Sequence, residues 1–550
     1  MHKAYQLAAD LDAKLGDPTD PDQLFSYSHC AELDAHDEFP AAICDQLDGL
    51  GLSAYYVPPQ YGGALQNYED LFQLLRTVAR RDMTVAVAHG TAYVDAVPSW
   101  IAATPALASR LGGELVRGHK AERRFSDSSP PEAIGPPVAA ASPAGYVLTG
   151  TTPAAPRTRG ALTGLLARTG DGISEWSMFL VETDRAQLEP PARLHGIRGA
   201  DHGSLTLLGV PATDLIGTEG SGVELSLKSR QLTWILDAAV SLGGIDQVLR
   251  LALDRVIEDT VYDLRLVDLP QVRRRLTEAY ADLLAAEAVA MVATRSVQLS
   301  TDELAVVGPA ATVFLRDRAD DLIQLAAELT TDEEQVGKAL RDHQTAGAVS
   351  DAVRVLRSLA GQLPLLVRTY GQEAPLAAAA ALSTDLPELR PDQLQLLARN
   401  GSSVLNGLPA AVAELESLAN AGVVSHQLAG SADVVLSVAN DLHCQLAEDL
   451  DPTVAMDLAR RYTLCFAAAS CLQVWLRNYA EHPKDDLWTG GVWLEACLVR
   501  LLGLLRVAPS GLAETVQIAY GRLMPAMVQQ LRSGRLLSLF PYSLSEASRP

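Results

Sequence analysis

A chain of 550 residues exceeds what one hydrophobic core sustains, roughly 250–300 residues, so several domains are expected. Its 48% hydrophobic and 20% charged residues suit a packed globular interior, and plentiful Ala and Leu with only 5% aromatics favour helix. The formal net charge of −23 opposes phosphate backbones and anionic lipid surfaces, so neither nucleic acid nor a membrane is an expected partner. No apolar run of transmembrane length is free of charges or breakers. Six cysteines without a C-x-x-C pair, and no basic-then-apolar leader, point to a reducing cytoplasmic setting. The Ala, Arg and Asp content suggests a bacterial gene.

In chain order, Ile43, Leu47, Leu50 and Leu52, then Leu71, Leu74, Leu75 and Val78, recur at helical spacing around a Pro/Gly loop, Val57 to Gly63. Residues 1–123 are read as a helical domain. Leu111-Gly112-Gly113-Glu114 reads as a helix break and not a phosphate loop, since no Lys-Ser/Thr follows. Residues 124–221 carry short β-prone runs, Gly145 to Leu148, Leu162 to Leu166, Trp176 to Val181 and Leu205 to Leu208, and are read as a small β-domain. Helical periodicity returns near Gly222 and is expected to last to the end, with interruptions at Leu382 to Pro391 and His482 to Gly491. A helical bundle over 222–380 and a helical extension over 381–550 complete the division. Trp475, Trp488 and Trp493 with Leu501, Leu502, Leu504 and Leu505 are read as core. The scattered His195, His202 and His343 have no metal-ligand spacing, so no metal is expected.

Several spaced motifs resemble acyl-CoA dehydrogenases: Phe39-Pro40, Leu50-Gly51-Leu52, Pro58-x-x-Tyr61-Gly62-Gly63 and Arg80-Arg81-Asp82-Met83-Thr84-Val85. The middle continues the likeness with Gly145-Tyr146-Val147-Leu148-x-Gly150-Thr151, Gly196-Ile197-Arg198-Gly199, Val210-Pro211-Ala212 and Ile216-Gly217-x-Glu219-Gly220-x-Gly222. Tyr262-Asp263-x-x-Leu266-x-Asp268-Leu269-Pro270-x-Val272 resembles the family's turn between two bundle helices. The likeness covers about residues 35–370, and residues 380–550 are similar to the helical extension of the very-long-chain branch. It implies a mainly α fold: N-terminal helices, a middle β-barrel or sandwich, a four-helix bundle and a C-terminal helical extension.

The family's reaction takes a proton from the carbon next to an acyl thioester and passes a hydride to flavin, which requires a carboxylate base and a positioned flavin. The resemblance places flavin contacts where this chain departs from pattern. Phe125 to Pro130 lacks the following Gly-Ser-Asp, leaving Ser128 as the one candidate flavin contact; a solvated Ser/Pro loop is the other reading. Thr152 to Thr158 carries two prolines and is expected to be a loop. Asp259 stands where an Arg meets the cofactor diphosphate, and Leu356 to Ala360 stands where a Gly-rich loop does. No cofactor is therefore expected, FAD being the alternative. For the base, the minority pattern of a Glu beside an Arg on the first bundle helix falls at Ser229-Arg230. Asp237, one turn beyond Thr233 and Trp234, is the catalytic candidate with Arg230; a surface carboxylate and a structural cation are the competing readings.

The expected function is a flavin-free reaction on an acyl thioester, carried by coenzyme A or an acyl-carrier protein, in bacterial specialised metabolism. The alternatives are an inert partner subunit of a heteromeric dehydrogenase and an active FAD-dependent dehydrogenase with divergent motifs. A homodimer, or a heteromer with a paralogue, is the expected assembly.

Overall fold

The structure, a computed structural model, describes residues 3–118, 135–157, 159–172, 175–212, 214–261, 263–330, 334–349, 352–371, 379–382, 386–446, 451–507 and 512–546. Six helices come first: α1 (Lys3–Leu15), α2 (Tyr27–Ala35), α3 (Ala41–Gly49), α4 (Tyr68–Arg81), α5 (Met83–Ala102) and α6 (Pro105–Val116). Tyr5, Ala8, Leu11 and Leu15 turn one apolar face of α1 inward. One residue, Asp82, separates α4 from α5, and its side chain accepts from the Val85 amide at 2.9 Å, capping the second helix as the first ends. The preceding Arg81 reaches back to the carbonyl of Asp12 (3.0 Å) and, more loosely, to those of Leu15 and Phe25. The Arg-Arg-Asp motif thus does structural work at the end of α1. Gly112 and Gly113 lie inside α6, so the expected break is absent.

Strands β1 (Val138–Ser142), β2 (Gly145–Thr151), β3 (Ala155–Pro156), β4 (Leu162–Arg168), β5 (Trp176–Glu182), β6 (Gln187–Leu188), β7 (His202–Gly203), β8 (Leu205–Ala212) and β9 (Asp214–Ile216) follow. Seven form one sheet in the order β6-β8-β2-β1-β4-β5-β9, antiparallel except between β1 and β4. Its own core holds Leu148, Leu165, Phe179, Val181, Leu207 and Val210. β3 pairs with β7, so the segment expected to be a loop around Pro153 to Pro156 contains a short strand. Gly196 to Gly199 then crosses to the helices: the Gly196 amide donates to Thr345 Oγ1 (2.8 Å) and the Ile197 amide to Asp342 Oδ1 (2.6 Å). Gly199 has φ 82°, and a Cβ there would sit 2.1 Å from the Glu38 carbonyl oxygen, which excludes any side chain.

Of the long helices α7 (Gly222–Glu258), α8 (Pro270–Leu299), α9 (Leu304–Leu329), α10 (Gln335–Val349) and α11 (Ala352–Leu366), α7 packs on α4 and α5, α8 on α4 and α10 on α5, while α9 packs on α7 and α8 and α11 on α9. A short hairpin of β10 (Thr260–Val261) and β11 (Leu264–Arg265) joins α7 to α8. α7 is long and apolar enough, by length and composition, to cross a membrane, but 94% of its most apolar stretch is buried inside the molecule. Beyond lie α12 (Leu408–Asn420), α13 (His426–Leu446), α14 (Pro452–Asn478), α15 (Val492–Leu504) and α16 (Leu512–Arg532), of which α14, α15 and α16 lie on α8. Trp475, Trp488 and Trp493 are fully buried, as read from the sequence. The last described segment departs from the helical expectation: Arg535 to Glu546 is non-helical and bends back into the core, where Leu536, Leu537, Leu539, Phe540 and Tyr542 are buried.

Candidate functional site

The N-terminal half of α7 buries Leu232, Trp234, Ile235 and Leu236 and leaves Arg230, Thr233 and Asp237 half-exposed. Separations of three, four and seven residues put these three on one open face. Arg230 and Asp237 are therefore on one stripe but two turns apart, about 10 Å along the axis. The cation next to Asp237 is another residue, Arg316 of α9, with Nη2 3.6 Å from Asp237 Oδ2. Although 36% of the Asp237 side chain stays open to solvent, the packed helices strip water from its carboxyl. That loss of hydration pushes its pKa up to about 6, against the lowering influence of Arg316. Beneath it Tyr68 of α4 is fully buried and donates its hydroxyl to the Leu232 carbonyl at 2.7 Å. A carboxylate so placed exchanges protons near neutral pH, with a guanidinium beside it to balance developing negative charge. Ser128 lies outside the described residues.

Two further groups were not evident from the sequence. Asp95 of α5 faces β4, accepts from Thr163 Oγ1 at 2.9 Å, and is pushed up to about 7 by burial that this hydrogen bond only partly offsets. His89, on the same helix, is held at both ring nitrogens, by the Tyr56 hydroxyl (2.6 Å) and by Asp48 (3.1 Å), and Ser53 also donates to Asp48. Asp48 and His89 are 41 residues apart, so no local spacing announces the pair. Arg316 follows the apolar run Val313-Phe314-Leu315 and heads the charged stretch Arg316-Asp317-Arg318, so nothing local singled it out.

Residues 26–118 match the family model described as acyl-CoA dehydrogenase, N-terminal domain. An acyl-CoA dehydrogenase complexed with FAD from Bacillus anthracis superposes with a TM-score of 0.68 at 14% identity, over 97% of this chain and 95% of that one. This chain has the acyl-CoA dehydrogenase fold and carries that family's N-terminal domain. The butyryl-CoA dehydrogenase of Megasphaera elsdenii gives a TM-score of 0.56 at 19% identity, over 66% of this chain and 97% of that one. The prolyl acyl carrier protein oxidase AnaB gives 0.57 at 16% identity, over 65% and 98%. No curated protein matches the chain by sequence.

Acyl-CoA dehydrogenases of known structure include one bound to FAD, so the places where the sequence resemblance puts flavin contacts can be tested for fit. Along Thr152 to Arg157 the one charged side chain is turned inward, with both terminal guanidinium nitrogens bonded within the protein. Arg157 is buried, pairs with Asp201 at 2.6 Å, and donates to the carbonyls of Glu189 (2.7 Å) and Ser204 (3.1 Å). Asp259 follows α7 and is paired with Arg255 at 2.8 Å, so a carboxylate in a neutral pair stands where the resemblance places a diphosphate-binding arginine. Leu356 to Ala360 lies inside α11, where backbone amides are bonded along the helix and Leu356 and Leu359 are buried. These three places do not fit a flavin held as the resemblance implies.

Proposed function

We propose that this protein acts on an acyl thioester, borne by coenzyme A or an acyl-carrier protein, in a flavin-free reaction that begins with removal of a proton from the carbon next to the thioester carbonyl. The observation that carries the reading is Asp237: a carboxyl raised to about 6 on the open face of α7, with Arg316 beside it. Above that pH the carboxylate accepts the proton, while Arg316 and, two turns away, Arg230 supply positive charge for the enolate oxygen or for the carrier's phosphate. Isomerisation, cyclisation and condensation all pass through such an enolate and need no oxidant. The replaced contacts at Arg157, Asp259 and α11 support the flavin-free part, and the similarity to an acyl carrier protein oxidase supports a carrier-bound substrate.

The test is the absorbance spectrum of the purified protein followed by incubation with butyryl-CoA and a butyryl-carrier protein in deuterium oxide. A colourless protein that exchanges the α-hydrogens, and an Asp237→Asn variant that loses at least a hundredfold of that rate, are expected. Flavin bands in the spectrum, or exchange that survives Asp237→Asn, would overturn the reading.

A further inference from the structure

A cavity lies far from Asp237, between the α7–α8 junction and α16. Ile257, at its edge, is twenty residues further along α7, about 30 Å at the helical rise. Its volume is about 650 Å³, within the range of pockets that enclose small molecules. Ile257, Val267, Met524, Pro525 and Val528 form an aliphatic wall, and Gln529 and Ser533 line the cavity beside it. Three arginines rim it in a chain whose net charge is −23. Arg265 is committed to Asp268 in a two-point pair of 2.8 and 3.2 Å. Arg273, in the first turn of α8, and Arg532, at the end of α16, have no carboxylate partner among the described residues. Both are exposed at the rim.

We propose that this cavity is a second binding site, for an amphipathic anion made of an aliphatic body and a carboxylate or phosphate head. Among the described residues the lining holds no aromatic ring on which a nucleobase would stack, and its aliphatic wall suits a hydrocarbon chain. Two uncommitted guanidiniums beside the aliphatic wall bind an anionic head through charge-assisted hydrogen bonds. A neutral chain of the same length gains only the apolar burial and leaves both cations facing water. The proposal does not depend on the reaction assigned to Asp237.

Calorimetric titration with octanoate, 1-octanol and ADP tests it. Octanoate is expected to bind with a submillimolar Kd, at least tenfold tighter than octanol, and ADP is expected not to compete. The double variant Arg273→Gln/Arg532→Gln is expected to weaken octanoate at least tenfold, and Val528→Trp to abolish binding by filling the cavity. Both arginines are exposed, so the double variant is expected to melt as the parent does. Octanoate that does not bind, or binds the double variant as well as the parent, overturns the site. So does binding that Asp237→Asn removes and Val528→Trp does not. ADP displacing octanoate overturns the ligand class.

Discussion

Two opposing influences act on the Asp237 carboxyl: dehydration by α4, α7 and α9 raises its pKa and Arg316 lowers it. If proton removal depends on the ionised carboxylate, the exchange rate climbs with pH through about 6 and levels off. Arg316→Gln removes the lowering influence, so the acid limb is expected to move upward by about one unit while the plateau persists, on the scale of a single nearby charge. An unmoved limb would show that Asp237 is not the titrating base. Glu303 offers a comparison without catalysis. It is buried at the α8–α9 corner, where Oε2 accepts from the Ser403 amide (2.8 Å) and hydroxyl (3.0 Å), and burial still pushes its pKa up to about 7. The folded-state value lies above the unfolded one, so ionisation opposes folding. The stabilisation is complete below about pH 4.5 and is lost as pH rises through about 7, a change of about 3 kcal/mol at most. Glu303→Gln removes this dependence. Urea unfolding at pH 5 and pH 8 is expected to show the variant gaining on the parent with rising pH, and parallel behaviour would sink the assignment. The half-exposed stripe of Arg230, Thr233 and Asp237 was visible in the sequence because helical spacing reveals a face. Arg316, Asp95 and Glu303 owe their chemistry to what packs around them from distant elements, which no local pattern records.

Helix α6 shows how neighbours decide a local preference. Two adjacent glycines weaken a helix by roughly 1 kcal/mol each relative to Ala, which is why the stretch reads as a break. The helix persists because Val57 to Tyr61 lies directly on it. A Cβ at Gly112 would stand 2.6 Å from the Tyr61 carbonyl oxygen and 2.9 Å from Val57 Cγ1, whereas one at Gly113 meets only the end of the Arg117 side chain, at 3.2 Å. Gly112→Ala is therefore expected to destabilise by roughly 1–3 kcal/mol through overpacking despite its better helix propensity. Gly113→Ala is expected to be neutral or slightly stabilising. Melting the two variants side by side checks the contrast, and equal shifts would refute it. The same contact explains why the Pro58 to Gly63 motif was legible: its turn must lie flat against α6. The β3–β7 pairing was not legible, because Pro156 lacks an amide to donate and its partner strand lies some 46 residues further on.

The ends of the chain close one core together. Glu287, fully buried on α8, accepts from Tyr5 of α1 (3.0 Å), Arg76 of α4 (2.6 Å), and the Ser538 hydroxyl (2.7 Å) and Leu539 amide (2.5 Å) of the C-terminal segment. Arg76 also holds Asp246 of α7 through two bonds of 2.7 and 2.9 Å. Further along, the Ser545 amide donates to Asp12 (2.8 Å), and Glu546 joins Tyr27, Arg80 and Arg250. The sequence of this segment misled because Leu536, Leu537, Leu539 and Leu544 continue the apolar texture of α16; Gly534 and Pro541 were the signs of a stop. Burying these charges is tolerable only while each keeps its partners, and removing one side of such a set costs about 3–5 kcal/mol. A chain ending at Arg535 is therefore expected to lose at least that much stability and the amide-exchange protection of Lys3–Leu15, since α1 loses Ser545 and Glu546 from its surroundings at a stroke. Ser545→Ala, which deletes one hydroxyl, is expected to cost only about 1 kcal/mol. Should the shortened chain prove insoluble, Glu287→Gln reads the same network in the full-length protein, with faster exchange expected in α1 than in α12. Unchanged protection of α1 in either protein would mean that the N-terminal helix is held by its apolar face alone and that the C-terminal segment closes nothing.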